Sequence, residues 1–298
     1  MTASWLWIVF TLVAAASQSV RNLLQRELTG TLGTIGATHV RFLYGLPFGL
    51  LFLALVLVAT GTPLRLPPLE SLAWTVVGAL TQIAATALML AAMQSRSIVV
   101  VTAYTKTEPV LVAVFGLALL GEPVTLAVVG AILLATAGVL LMTWPKKDTA
   151  EFLSLRPTLL GLASAGLFGL SAVGFRGAIT SVGSGNYLVD ASTILVAGLL
   201  LQSLALTIWL ALRSPDTLRA IAGAWRRSLP AGFAGAFASQ LWFLAFALES
   251  AARVRTLALV EIFFAQLLAG RLLREKAGPA EWLGIALVGA GVVLLLNG

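Results

Sequence analysis

Residues 108–122 read EPVLVAVFGLALLGE, and residues 261–275 read EIFFAQLLAGRLLRE. A slide of 153 residues lays Glu108 on Glu261, Leu119-Leu120 on Leu272-Leu273 and Glu122 on Glu275. The same slide carries Ile132 onto Ile285 and Gly138-Val139 onto Gly291-Val292. A slide of 155 carries Arg21 onto Arg176 and Ser95 onto Ser250. Apolar coincidences are cheap in a greasy chain, but only 12 acidic residues occur among 298, so two glutamate coincidences carry weight. The chain reads as two copies of one unit.

Outward from these segments, apolar stretches with short polar punctuation mark ten spans. They lie near residues 4–22, 34–60, 71–94, 97–120 and 124–144, then 157–180, 187–212, 228–249, 254–273 and 280–297. A spanning helix needs about 20 mostly apolar residues. Strands of a membrane barrel would alternate apolar and polar side chains, which these runs do not, so the spans are helices. Composition agrees. The chain is 59% hydrophobic and 10% charged, with a mean hydropathy of +0.99, whereas soluble domains run roughly 45–50% apolar and about 25% charged. Ten spans leave about 100 residues for connections, which excludes large extramembrane domains.

Five helices per copy is an odd number, so the two copies must insert with opposite orientation. Inverted repeats about an axis in the membrane plane are a construction common among secondary transporters. The expected fold is therefore an all-α membrane protein of ten transmembrane helices, arranged as two inverted five-helix repeats around a central cavity. Residues 1–144 form the first repeat, 145–156 a linker that opens Pro145-Lys146-Lys147-Asp148, and 157–298 the second repeat. The opening Met-Thr-Ala-Ser-Trp lacks the basic residues of a signal peptide and reads as part of a retained first span. The expected location is the cell (inner) membrane, multi-pass.

The net charge of +7 is topological in origin rather than a mark of nucleic acid, because no basic stripe with interleaved aromatics occurs. Connections after odd-numbered spans hold Arg26, Arg96, Lys146, Lys147, Arg156, Arg213, Arg219, Arg226, Arg227, Arg271, Arg274 and Lys276. Those after even-numbered spans hold Arg65, with Arg253 and Arg255 at the start of span nine. The positive-inside rule then puts the odd connections in the cytoplasm and both termini outside. Trp5, Trp7, Trp74, Trp144, Trp225 and Trp282 sit at span edges as interfacial anchors.

Charges within spans are costly and are expected to face a cavity, a partner or the interface. Gln18, Arg21 and Asn22 share a face of span one. Span two carries His39, Arg41 and Tyr44; for Arg21, Arg41 and Arg176 the competing reading is snorkelling to headgroups. The sharpest local signal is Thr102, Tyr104, Thr105, Lys106, Thr107 and Glu108 running into Pro109. Proline frees a carbonyl one turn back, and a broken helix at membrane depth is tolerated where it lines a cavity or is buried in protein. In the second copy Ile262 stands where the proline would fall, so that helix need not break. Asp190 is either a proton or cation site or an exposed helix-start carboxylate. Gln82, Gln240 and Trp242 are contact candidates, with interhelical hydrogen bonding the alternative reading for the glutamines. Glu249, Arg253 and Arg255 read as a solvent-facing group or a gate at the cavity mouth.

Zero Cys and one His remove disulfides, thiolate catalysis and multi-histidine metal sites. No Walker loop, H-E-x-x-H or G-x-S-x-G occurs. An enzyme reading has no residues to stand on, and no cofactor is called for.

The whole chain resembles the drug/metabolite transporter superfamily, in particular its EamA-type members. Arg41 within Thr38-His39-Val40-Arg41-Phe42, Glu108-Pro109, Leu119-Leu120-Gly121-Glu122 and the glycines Gly130 and Gly138 carry the likeness. The second copy departs from the pattern, with Arg274-Glu275 in place of Gly-Glu and no proline. The resemblance implies a cavity lined by helices one to four and six to nine, with helices five and ten as peripheral supports. It implies alternating access, and for many members export of amino acids or other small metabolites. It also implies that Glu122 and Glu275 are structural or gating residues.

The function expected is a secondary active transporter, exporter or exchanger, of a small polar or zwitterionic metabolite such as an amino acid. Arg21, Arg41, Lys106 and Arg176 would hold anionic groups; Glu108, Asp190 or Glu261 would take amines or a coupling proton; Tyr104 and Trp242 would stack on an apolar part. The partners are then the metabolite, the bilayer and a coupling proton, with no nucleic acid; the sequence fits a monomer or a homodimer. The rival reading is a lipid flippase or scramblase, which needs a lateral opening.

Overall fold

The computed structural model describes residues 5–95, 101, 104–143, 155–262 and 279–298. Among these the chain forms ten helical spans joined by short non-helical connections such as residues 61–68 and 121–125. Leu6–Leu43 (α1) is one helical run by hydrogen bonding, but its backbone breaks at Gly33, at φ 68° and ψ 174°, a region that essentially only glycine enters. The chain reverses there. The Gln25 side chain donates to the carbonyl of Ala37 at 3.2 Å, whereas twelve residues of straight helix would separate them by about 18 Å. Leu46–Thr60 (α2) continues the second arm beyond Pro47, which lacks the N–H that would have carried the ladder through.

Span one thus reaches Gly33 rather than ending near residue 22. Gln25, Arg26 and Glu27 interrupt the apolar run but are good helix formers, and Gln25 is buried. The remaining elements are α3 Leu69–Ser95, α4 Glu108–Leu120, α5 Leu126–Thr143, α6 Leu155–Thr180, α7 Tyr187–Arg213, α8 Pro215–Gly223, α9 Trp225–Leu248, α10 Ala251–Leu257 and α11 Pro279–Asn297. The short α8, in a stretch expected to be a plain connection, buries Ile221 while Asp216 and Arg219 stay exposed. The linker's last two residues, 155 and 156, are already helix. Pro145-Lys146-Lys147-Asp148, Thr102, Arg274 and Glu275 lie outside the described residues.

The helix pairings repeat across the halves. α3 packs along α6, and their counterparts α9 and α1 pack together; α4 meets α6, and α10 meets α1. α5 pairs with its own counterpart α11, and α2 with α7. An exchange that is its own inverse is a two-fold. The α5–α11 contact keeps the register found in the sequence. A Cβ on Gly138 would sit 2.6 Å from the Gly284 carbonyl, and one on Gly291 2.9 Å from that of Ala131. Gly291 and Gly284 are Gly138 and Ala131 moved by 153 residues. Backbones this close leave no room for a side chain.

Polarity is arranged for lipid. Leu66, Leu126 and Val58 are more than four-fifths exposed, while Arg21, Arg41, Gln25, Gln202, Ser164 and Thr86 are buried. Large apolar side chains face outward, and polar groups are satisfied inward, as in Ser164 to the Ala85 carbonyl at 2.9 Å and Ser171 to that of Gly78 at 2.9 Å. Among the described residues, five helices, counting α1 and α2 as one run, are by themselves long and apolar enough to cross a bilayer.

Candidate functional site

The site begins at Pro109. Without an N–H there, the helix cannot run through residue 105, and the chain tightens. The amide of Thr107 donates to the Tyr104 carbonyl at 3.2 Å, and Val110 to the Thr107 carbonyl at 3.2 Å. Lys106 and Thr107 form a turn, and α4 starts at Glu108. The second half breaks at the same register. α10 gives way to a 3-10 turn over Ala258–Val260 immediately before Glu261. The expectation that Ile262 would spare this helix an interruption is corrected: three-residue tightening occurs without a proline.

The two breaks set Glu108 and Glu261 beside cations of the opposite helix. Arg255 Nε lies 3.1 Å from Glu108 Oε1, and Lys106 Nζ pairs with Glu261 Oε1. Arg255 is held over the Trp242 ring at 4.3 Å and near the Phe246 ring at 5.4 Å, contacts that stabilise a desolvated cation. Trp242 Nε1 donates to Gln18 Oε1 at 3.0 Å.

These groups line a cavity of about 40 Å3, room for about three waters at roughly 10–15 Å3 each. Its walls include Gln18, Arg21 and Asn22 of α1's first arm and Arg41 of its second. Gln82 of α3, Lys106, Glu108, Trp242, Arg255 and Glu261 extend the polar lining, together with Thr105, Ser171 and Ser239, and Phe175 and Phe243 stand beside them. Arg41 donates to Thr86 Oγ1 at 3.2 Å and reaches Ser239 Oγ at 3.5 Å. Arg21 donates to Asn22 Oδ1 at 2.8 Å. Nine of the fifteen residues singled out in the sequence therefore share one cavity. Among the described residues α5 and α11 contribute nothing to it, in line with the resemblance; α7 contributes nothing either, contrary to it.

Six of the fifteen lie elsewhere. Arg176, which the slide of 155 lays on Arg21, does not enter the cavity. Its Nε donates to Glu122 Oε1 at 2.8 Å, and it also bonds the Phe246 carbonyl. His39 faces Thr207 Oγ1 at 3.0 Å, behind the wall. Tyr44 donates to the Ile221 carbonyl at 2.9 Å, tying the end of α1 to α8. Tyr104 meets Thr158 Oγ1 at 2.9 Å, so it does not stack over the cavity. Asp190 accepts from the Ser184 amide at 3.1 Å at the start of α7. Gln240 donates to Ser192 Oγ at 2.9 Å. Each of these makes its hydrogen bond to a neighbour outside the polar lining.

Arg255 is the functional candidate that sequence reading left as a loop or gate residue. α10 starts at Ala251, three residues before the expected edge, so Arg255 sits a full turn inside a helix with 8% exposure. Its position within an apolar run was the available signal. Glu249 and Arg253 do pair, at 3.5 Å, but half-buried, with Arg253 also donating to the Leu295 carbonyl at 2.8 Å.

A family model described as the EamA-like transporter family matches residues 5–144 and 156–297. A solved crystal structure shares the fold, with a TM-score of 0.68 at 16% identity, covering 99% of this chain and 96% of the other. No curated protein matches the chain.

Proposed function

The chain belongs to the EamA-like transporter family, a multi-pass membrane protein and not an enzyme, and we propose that it carries a small polar metabolite, such as an amino acid, across the cell membrane as an exporter or exchanger working by alternating access. One observation supports this above the rest: the crossed pairs Lys106–Glu261 and Arg255–Glu108 sit on two interrupted helices related by the internal two-fold. Inverted repeats give a carrier two equivalent ways to tilt around a fixed midplane site. The cavity between these pairs is the candidate solute site.

Opening separates the halves, and with them the crossed pairs. Removing one partner of a buried pair costs about 3–5 kcal/mol, which a ligand offsets by taking over the exposed charges. A ligand shifts the equilibrium by its difference in affinity between states. Gln18, Asn22, Gln82 and Trp242 then orient the neutral part of the solute. A coupling proton has Glu108 or Glu261 as its candidate acceptors.

Uptake of a metabolite panel into proteoliposomes, with and without a pH gradient, tests the proposal. The wild type should accumulate one class of solute that Glu108→Gln and Arg41→Ala do not. Uptake equal to that of empty liposomes for every solute, by folded protein, overturns it.

A further inference from the structure

We infer that the solute is anionic, with a carboxylate or phosphate seated between Arg21 and Arg41. The inference rests on the carrier reading above and narrows its substrate class. The cavity lining holds four cations, Arg21, Arg41, Lys106 and Arg255, and two carboxylates, Glu108 and Glu261. Both carboxylates are paired, to Arg255 and Lys106. Arg21 and Arg41 are each 2% exposed, and among the described residues neither makes an ion pair.

What they have instead is neutral. Arg21 is held by its neighbour Asn22, and Arg41 by the hydroxyls of Thr86 and Ser239 and by the face of Phe42, 5.1 Å away. Arg41 Nε is buried with no hydrogen-bond partner. The two stems lie against one residue: a Cβ on Gly235 would sit 2.9 Å from Arg41 Cγ and 3.7 Å from Arg21 Cδ. Two desolvated guanidiniums whose stems share one neighbour, neither in contact with a carboxylate of its own, are a costly arrangement for an empty protein. Guanidinium forks fit carboxylate and phosphate oxygens two at a time. An oxyanion between them supplies the missing charge and the acceptor for Arg41 Nε. A neutral zwitterion brings no net charge, and a cation would add a like charge to the excess.

The discriminating experiment is thermal stabilisation of the full-length protein in nanodiscs, followed by uptake in liposomes. The probes are succinate, glutamate, inorganic phosphate, neutral alanine and free lysine. At least one anion should stabilise the wild type where alanine and lysine do not. Succinate and glutamate against phosphate separate a carboxylate site from a phosphate site; a response to either class supports the inference. Arg21→Gln and Arg41→Gln should each weaken anion binding about ten- to a hundredfold, the worth of one charge-assisted bond or two. Arg176→Gln, outside the cavity, should leave it unchanged. If the glutamine variants do not fold, Arg21→Lys and Arg41→Lys keep the charge and should retain weakened anion binding. Equal or better stabilisation by alanine or lysine overturns the inference, as does anion binding indifferent to both arginines. Anion binding without uptake sinks the carrier reading alone, and uptake restricted to neutral or cationic probes sinks this one alone.

Discussion

Glu108 and Glu261 occupy equivalent places in the two halves, and each carboxylate is paired with a cation from the other half. The glutamates obey the repeat while their partners do not: the positions equivalent to Lys106 and Arg255 are Leu259 and Thr102. One cation per half, at different registers, closes both pairs.

Reversing one pair tests this arrangement. Lys106→Glu alone should lower stability by about 3–5 kcal/mol, because it buries a second carboxylate beside Glu261. Adding Glu261→Lys should recover most of that loss. The coupling energy from the double-mutant cycle, read by thermal unfolding in nanodiscs, checks it. No recovery would mean that the two side chains do not meet.

Arg176 and Arg41 should separate in kinetics. Arg176→Gln breaks the bond to Glu122 and should lower Tm while leaving the transport KM at its wild-type value. Arg41→Gln should raise KM or abolish uptake with the protein still folded. Liposome uptake curves beside melting curves settle the contrast, and a raised KM in Arg176→Gln would return that residue to the site.

Gly235→Ala is a small change placed against the arginine stems. Its Cβ would stand 2.9 Å from Arg41 Cγ, so the Arg41 stem must shift. Uptake should fall several-fold with a loss of stability of about 1 kcal/mol or a little more. Wild-type transport in a well-folded variant would show that the stem has room to give.

Gly138→Leu should destabilise without touching the cavity. The Cβ meets the Gly284 carbonyl and Val288 backbone, so α5 and α11 must part, and small-to-large substitutions in tight packing cost about 1–3 kcal/mol. Lower Tm with unchanged KM in the surviving fraction is the expected pair of readings.

Much of the fold was legible because its causes are local. Polar punctuation placed most span edges, and the repeat at 153 residues matched Gly138 with Gly291, both of which lie in the α5–α11 contact. The edges that moved were those where polarity and helicity part company. Gln25, Arg26 and Glu27 ended an apolar run but not a helix, and Pro215–Gly223 coils at a surface where mean hydropathy gives no signal. The site was legible in part. Gln18, Arg21, Asn22 and Lys106 were found because a buried charge or amide in a span is rarely idle, but the same rule brought in Arg176, His39 and Asp190.

The sequence by itself determined the solvent, the helices and the duplication, since hydropathy and spacing along the chain suffice for those. Which buried polar groups share a cavity was decided by tertiary structure. Arg176 pairs with Glu122 while Arg21, among the described residues, bonds only Asn22, and that depends on which helix faces lie within a few ångströms, between residues more than fifty positions apart. Electrostatic energy falls with distance in space and is indifferent to distance along the chain.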